Sequence, residues 1–189
     1  MLAWLIRFDQ SLVPAVREVQ AAFSRLEWIV PQPSYFLHIS LGGVAFGRRR
    51  PTGQEIASAL ERARRVWASA SGFEVTYRRI NCFHNAVVAE VEGDGPRLLV
   101  EKLVEDNYWG NVQVDAPLAA VRLETYLPHL TIGSIKGAND PGLLKEVLIP
   151  LRDRELGKQR VTEASLCLIP ASRTTILSPW EVVGSVALD

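Results

Sequence analysis

Phe36-Leu37-His38-Ile39-Ser40-Leu41-Gly42 and Leu127-Pro128-His129-Leu130-Thr131-Ile132-Gly133 are one pattern written twice. Each copy runs histidine, apolar residue, hydroxyl residue, apolar residue, glycine. The chain holds 3 histidines in 189 residues, and two of them stand in this frame. Residues two apart on a strand point to the same face. His38 and Ser40 therefore project together, as do His129 and Thr131. Leu37, Ile39 and Leu41, and in the second copy Leu130 and Ile132, turn the other way, toward a core. Each strand would line a cleft with one face and anchor a hydrophobic layer with the other.

Histidine is the side chain whose ordinary pKa lets it give or take a proton near neutrality. Two imidazoles facing one groove form an acid–base pair that needs no metal. One, neutral, activates a water or hydroxyl nucleophile, and the other, protonated, serves the leaving oxygen. The hydroxyls of Ser40 and Thr131 can donate to non-bridging phosphate oxygens, where charge builds in the transition state. The set suits phosphoester cleavage.

The flanking sequence reads as alternating helices and strands. Leu2 to Phe8 is a buried strand. Ser11 to Leu26 is helical in period, with Leu12, Val16, Val19, Phe23 and Leu26 on one face and Ser11 as its N-cap. Trp28 to Val30 and a Pro31-Gln32-Pro33 break lead into the first histidine strand. Thr52 and Glu55 form a capping box for a helix carrying Ile56, Leu60, Ala63, Trp67 and Ala70. Phe73, Val75 and Tyr77 alternate with polar residues, Asn81 to Asn85 is a turn, and Ala86 to Val91 returns as a hairpin partner. Pro96 opens a third helix with Leu99 and Leu103. Asn107 to Ala116 is an irregular link between two halves. Asn139-Asp140-Pro141-Gly142 starts a short helix after the second histidine strand. Val161 to Ile169 and Trp180 to Leu188 form a last hairpin around a Ser172 to Pro179 turn.

This order is α+β rather than a strictly alternating parallel fold. It approximates one unit repeated: helix, histidine strand, helix, hairpin. The expected architecture is a single bilobal domain over residues 1–189. Its two similar lobes each have an antiparallel sheet with helices packed outside, one histidine motif per lobe, and an active-site groove between them.

Composition narrows the class. Lys and Arg total 21, as do Asp and Glu, so the formal net charge is zero and the overall field gives no sign of a strong nucleic-acid or membrane binder. The 2 cysteines, Cys82 and Cys167, are far apart and form neither a disulfide framework nor a zinc pattern. The apolar run from Met1 to Phe8 is short and lacks the basic start of a signal peptide. No stretch approaches the ~20 apolar residues of a spanning helix. A soluble cytoplasmic protein is the simplest expectation, with a monomer favoured.

The two histidine segments resemble the signature motifs of the 2H phosphoesterase superfamily, which read histidine–apolar–Ser/Thr–apolar. That superfamily includes 2′-5′ RNA ligase-like proteins and 2′,3′-cyclic nucleotide phosphodiesterases. Leu127-Pro128-His129-Leu130-Thr131-Ile132 is the more specific match, since Pro-His-Leu-Thr is typical of the second motif, and the order of elements extends the resemblance over nearly the whole chain. The resemblance implies a bilobal α+β fold with no metal or cofactor. His38 and His129 would be the acid–base pair, and Ser40 and Thr131 the phosphate-binding hydroxyls. The implied substrate is a nucleotide or RNA end with a 2′,3′-cyclic phosphate, or a 2′-5′ linkage, and the alternative is an inactive RNA- or nucleotide-binding module of the same fold. Two departures stand out. Many relatives carry an arginine about where Ser134 stands, with Lys136 nearby, and Gly42-Gly43 replaces bulkier residues.

Other residues have ordinary readings beside their functional ones. His84 sits in a turn and reads as a loop histidine, without ligand spacing to His38 or His129. Arg48-Arg49-Arg50 is a solvated loop, or a phosphate-steering patch. Arg62, Arg64 and Arg65 form the polar face of their helix. Tyr126 and Trp180 could pack at the rim or stack on a base. Asp153, Arg154 and Glu155 read as an exposed charged loop.

Overall fold

The first strand, β1 (Leu2–Arg7), is a continuous apolar run because both its faces are covered. Leu2, Trp4 and Ile6 enter the main core, while Ala3 and Leu5 join Cys167 and Ile169 in a smaller cluster on the opposite face. The computed structural model describes residues 1–45, 49–83, 85–106, 123–137, 140–170 and 179–189. Expectations for Arg48, His84, Asn139, the 107–116 link and the 172–178 part of the final turn lie outside them.

In chain order the strands after β1 are β2 (Ile29–Pro31), β3 (His38–Ala45), β4 (Phe73–Phe83), β5 (Ala86–Glu92), β6 (His129–Ile135), β7 (Glu155–Val161), β8 (Glu163–Leu168) and β9 (Glu181–Ala187). They form one antiparallel sheet in the order β7-β4-β5-β6-β3-β1-β8-β9, with β2 also paired to β6. The class is α+β, with four helices among the described residues: α1 (Val13–Ala22), α2 (Gly53–Val66), α3 (Gly95–Glu105) and α4 (Pro141–Leu148).

The two histidine strands are neighbours at the middle of the sheet. They touch through one register pair, Ile39 opposite Leu130. Further along β6 the same edge is taken by β2, which pairs Ile29 with Ile135 and Pro31 with Gly133. The exchange of partner on one edge of β6 divides the sheet into a β3-β1-β8-β9 half and a β7-β4-β5-β6 half.

Aromatic packing fixes the core. Trp4 and Trp67 meet edge to face at 4.9 Å, and the Trp67 indole N–H donates to the Leu99 carbonyl at 3.0 Å, tying β1, the end of α2 and α3 together. Phe8 and Tyr77 meet likewise at 5.0 Å. The capping box forms as the sequence predicts, with Thr52 and Glu55 exchanging side-chain to backbone bonds. Asp140 caps α4 through the Gly142 and Leu143 amides.

Three local readings change. Asp9, not Ser11, makes the first cap. Its carboxylate accepts from the Ser11 amide and starts a 3₁₀ turn, so α1 begins only at Val13 and ends at Ala22. β4 runs to Phe83, opposite Ala86, so Asn81 to Phe83 belong to the strand and not to a turn. Glu155 opens β7 instead of closing a loop. That strand escaped a period-two reading because of a bulge at Leu156, next to Gly157, whose φ of +126° lies in the region glycine tolerates. The buried positions Leu156, Gln159 and Val161 are therefore spaced three and then two apart.

Candidate active site

Antiparallel pairing of Ile39 with Leu130 sets the site. One step either way, His38 falls opposite Thr131, and Ser40 opposite His129. Residues directly opposite each other share a face of the sheet. Ile39 and Leu130 are both fully buried, so the four polar residues lie together on the face away from the main core. Each histidine stands beside the other strand's hydroxyl. The two histidines are diagonal neighbours, a relation that spans roughly 7–8 Å in a regular sheet.

The two strands are built alike. On β1, Arg7 pairs with His38, Leu5 with Ser40 and Trp4 with Gly42, which leaves Leu41 as a bulge. On β5, Glu90 pairs with His129, Val88 with Thr131 and Val87 with Gly133, which leaves Ile132 as a bulge. The bulge falls at the same place in both motifs. It buries the second apolar residue of each, at 0 % exposure. The terminal glycines differ in purpose. Gly42 adopts φ +143°, while a Cβ on Gly133 would come within 3.0 Å of Ile29 and 3.3 Å of Phe23.

The imidazoles are also held alike. His38 Nδ1 lies 2.7 Å from the Phe36 carbonyl, and His129 Nδ1 lies 2.8 Å from the Leu127 carbonyl. A carbonyl only accepts, so Nδ1 carries the proton in both rings and Nε2 is the reactive atom. In neutral His38, Nε2 accepts from the Ser40 hydroxyl at 3.1 Å.

Their surroundings differ. The His38 ring meets Trp180 edge-on at 4.8 Å and Phe36 at 5.6 Å, and these two aromatics stack on each other at 5.0 Å. Burial pushes the His38 imidazole down to about 4; the Phe36 bond opposes this, and the nearby His129 charge adds to it. His129 meets Phe83 edge-on at 4.7 Å.

Tyr126 bonds the halves across the seam. Its hydroxyl donates to the Ser40 carbonyl at 2.9 Å, and burial pushes its own pKa up, so it stays a donor. Trp180 packs on Phe36 and His38. Sequence alone offered these two for rim packing or base stacking; the long-range contacts they make favour packing and carried no local signal. Ser134 accepts from the buried Gln32 amide at 2.7 Å, so a neutral pair stands at this position. Arg49 and Arg50 are ion-paired to Glu55 and Glu181 at 2.5 and 2.7 Å, which favours the loop reading over phosphate steering. Among the described residues, no group of three or more His, Cys, Asp or Glu side chains is arranged to hold a metal, and no helix is long and apolar enough to cross a membrane.

No family model and no curated protein sequence matches this chain. Solved structures do match it in fold. TT0787 of Thermus thermophilus superposes with a TM-score of 0.70 at 17% identity, over 99% of this chain and 97% of that one. Escherichia coli LigT complexed with 3′-AMP gives 0.69 at 15% identity, over 99% and 96%. A structure described as a phosphoesterase gives 0.65 at 16% identity, over 99% and 97%. The fold is the one that the sequence resemblance implies.

Proposed function

We propose that this chain is a 2H phosphoesterase, a metal-independent enzyme that opens a 2′,3′-cyclic phosphate or cleaves a 2′-5′ linkage in a nucleotide or RNA. The observation that carries the reading is the single register pair at the seam, which sets each histidine beside the other's hydroxyl on the face away from the main core. The shared fold with LigT and with a phosphoesterase supports it.

In this reading His38 takes the base role and His129 the acid role. Burial keeps His38 neutral at pH 7, with an unprotonated Nε2, so His38 is the general base. Its Nε2 takes a proton from water while the water oxygen bonds to phosphorus. The phosphorus bond to the ribose oxygen breaks, the electron pair leaves with that oxygen, and His129 Nε2–H protonates it. Ser40 and Thr131 donate to the non-bridging oxygens, and Ser40 releases its bond to His38 to do so. The product is a phosphomonoester. Ligation is the same path with a 5′-hydroxyl in place of water, so that opening the cyclic phosphate forms a phosphodiester instead of a monoester.

The test is turnover of 2′,3′-cyclic mononucleotides in the presence of a strong chelator. Wild type should be active, and His38→Ala and His129→Ala should each lose ~10²–10⁴-fold in kcat. Near-wild-type turnover by both variants rejects the reading. An inactive nucleotide-binding module is the alternative, favoured by the neutral Gln32–Ser134 pair. Tight binding of cyclic nucleotides without turnover would select it.

A further inference from the structure

A cavity of about 500 Å³ opens beside the first motif, lined by Arg7, Gln10, Tyr35, Glu163, Ser165 and Trp180 among others. Neither histidine lines it, but Trp180 joins it to the site, because the same indole packs on His38. Its volume lies within the ~300–1,000 Å³ range of small-molecule sites.

Sheet register fixes where the cavity lies. Arg7 is directly opposite His38 on the adjacent strand. Leu5 is opposite Ser165 one strand further; continuing that register by two residues brings Arg7 to Glu163, and their side chains pair across the two strands. Glu163, Arg7, His38 and Thr131 thus form one row across the sheet. At roughly 4.8 Å per strand, Glu163 stands about 10 Å from the catalytic strand. A ribose and its base bridge such a separation.

Arg7 and Glu163 pair through Nη2 and Oε1 at 2.7 Å, with side chains 52% and 40% exposed. The row therefore presents a guanidinium and a carboxylate side by side at the cavity. Guanine has the matching edge: the O6 acceptor beside the N1–H and N2–H donors. O6 would take a guanidinium N–H, and the carboxylate would take the two donors. Adenine, cytosine and uracil each lack two adjacent donors on that edge.

We propose that this cavity is the nucleobase subsite of the groove and selects guanine through Arg7 and Glu163. The inference rests on the phosphoesterase reading of the neighbouring site. The experiment measures kcat/KM for the 2′,3′-cyclic phosphates of guanosine, adenosine and uridine, with wild type, Glu163→Gln and Arg7→Gln. Guanosine should lead the other two on the order of 10-fold, mainly in KM, the low end of what a bidentate base contact supplies. Either variant should shrink that ratio to within about 3-fold. Equal kcat/KM for all three bases in wild type, or a guanine preference untouched by both variants, overturns the proposal. Calorimetric binding of 3′-GMP against 3′-UMP separates it from the chemistry. A guanine preference lost in Glu163→Gln supports the subsite even where no cyclic phosphate is opened. Base-independent affinity overturns it even where turnover is fast.

Discussion

The strands β3 and β6 carry the same frame, the same bulge and the same Nδ1–carbonyl bond, yet they hold their histidines in different surroundings. Opposite His38 stands Arg7, and opposite His129 stands Glu90. His38 meets the stacked pair Phe36 and Trp180 edge-on and is bonded to its own Ser40. His129 has Phe83 at its edge. Geometry is duplicated and environment is not. That division is what an acid–base pair needs, since two identical imidazoles would compete for one role.

Breaking the asymmetry in the pH profile should give the largest effect. The acidic limb of kcat/KM should fall near pH 4, because His38 stays neutral down to its lowered pKa. The His38→Ala variant should lose that limb together with ~10²–10⁴-fold in rate. An acidic limb at the ordinary histidine value, unchanged in the variant, would reverse the assignment or remove it.

Removing the hydroxyls comes next. Thr131→Val should lower kcat by ~10²–10³-fold with a smaller change in KM, as for loss of one oxyanion donor. Ser40→Ala should behave similarly and also leave His38 Nε2 without its described partner. Steady-state kinetics on one cyclic nucleotide compares the two motifs directly.

Stability should also depend on His38. Its folded pKa lies below the unfolded one, so the unfolded chain binds the extra proton between them. Stability should therefore fall as pH drops from about 6.5 to about 4 and fall no further from this group. Denaturant melts of wild type and His38→Asn across that window should show a flatter profile for the variant.

The smallest expected effect is at the seam. Tyr126→Phe removes one bond to the Ser40 carbonyl and should cost about 1 kcal/mol. A loss in kcat larger than that in stability would show that the bond aligns the two motifs.

Much of this was legible in the residues, because it is local. The helices announced themselves by period, the α2 cap by Thr52 and Glu55, and the four candidate site residues by strand alternation. What was not legible depends on contacts between distant segments. The Tyr126 bond spans 86 positions. The pairing of Arg7 with Glu163 spans 156. β7 was hidden by the bulge at Leu156, which breaks its alternation. The different surroundings of the two histidines were hidden because Trp180, which packs on His38, belongs to the opposite end of the chain.

The central claim is that both imidazoles face one phosphorus. A crystal structure grown with inorganic phosphate tests it most directly. The expected result is one phosphate between the strands, with His38 Nε2 and His129 Nε2 each about 2.7–3.2 Å from its oxygens and Ser40 and Thr131 on the remaining ones. A phosphate bound by one histidine alone, or bound elsewhere with the groove open, would contradict it.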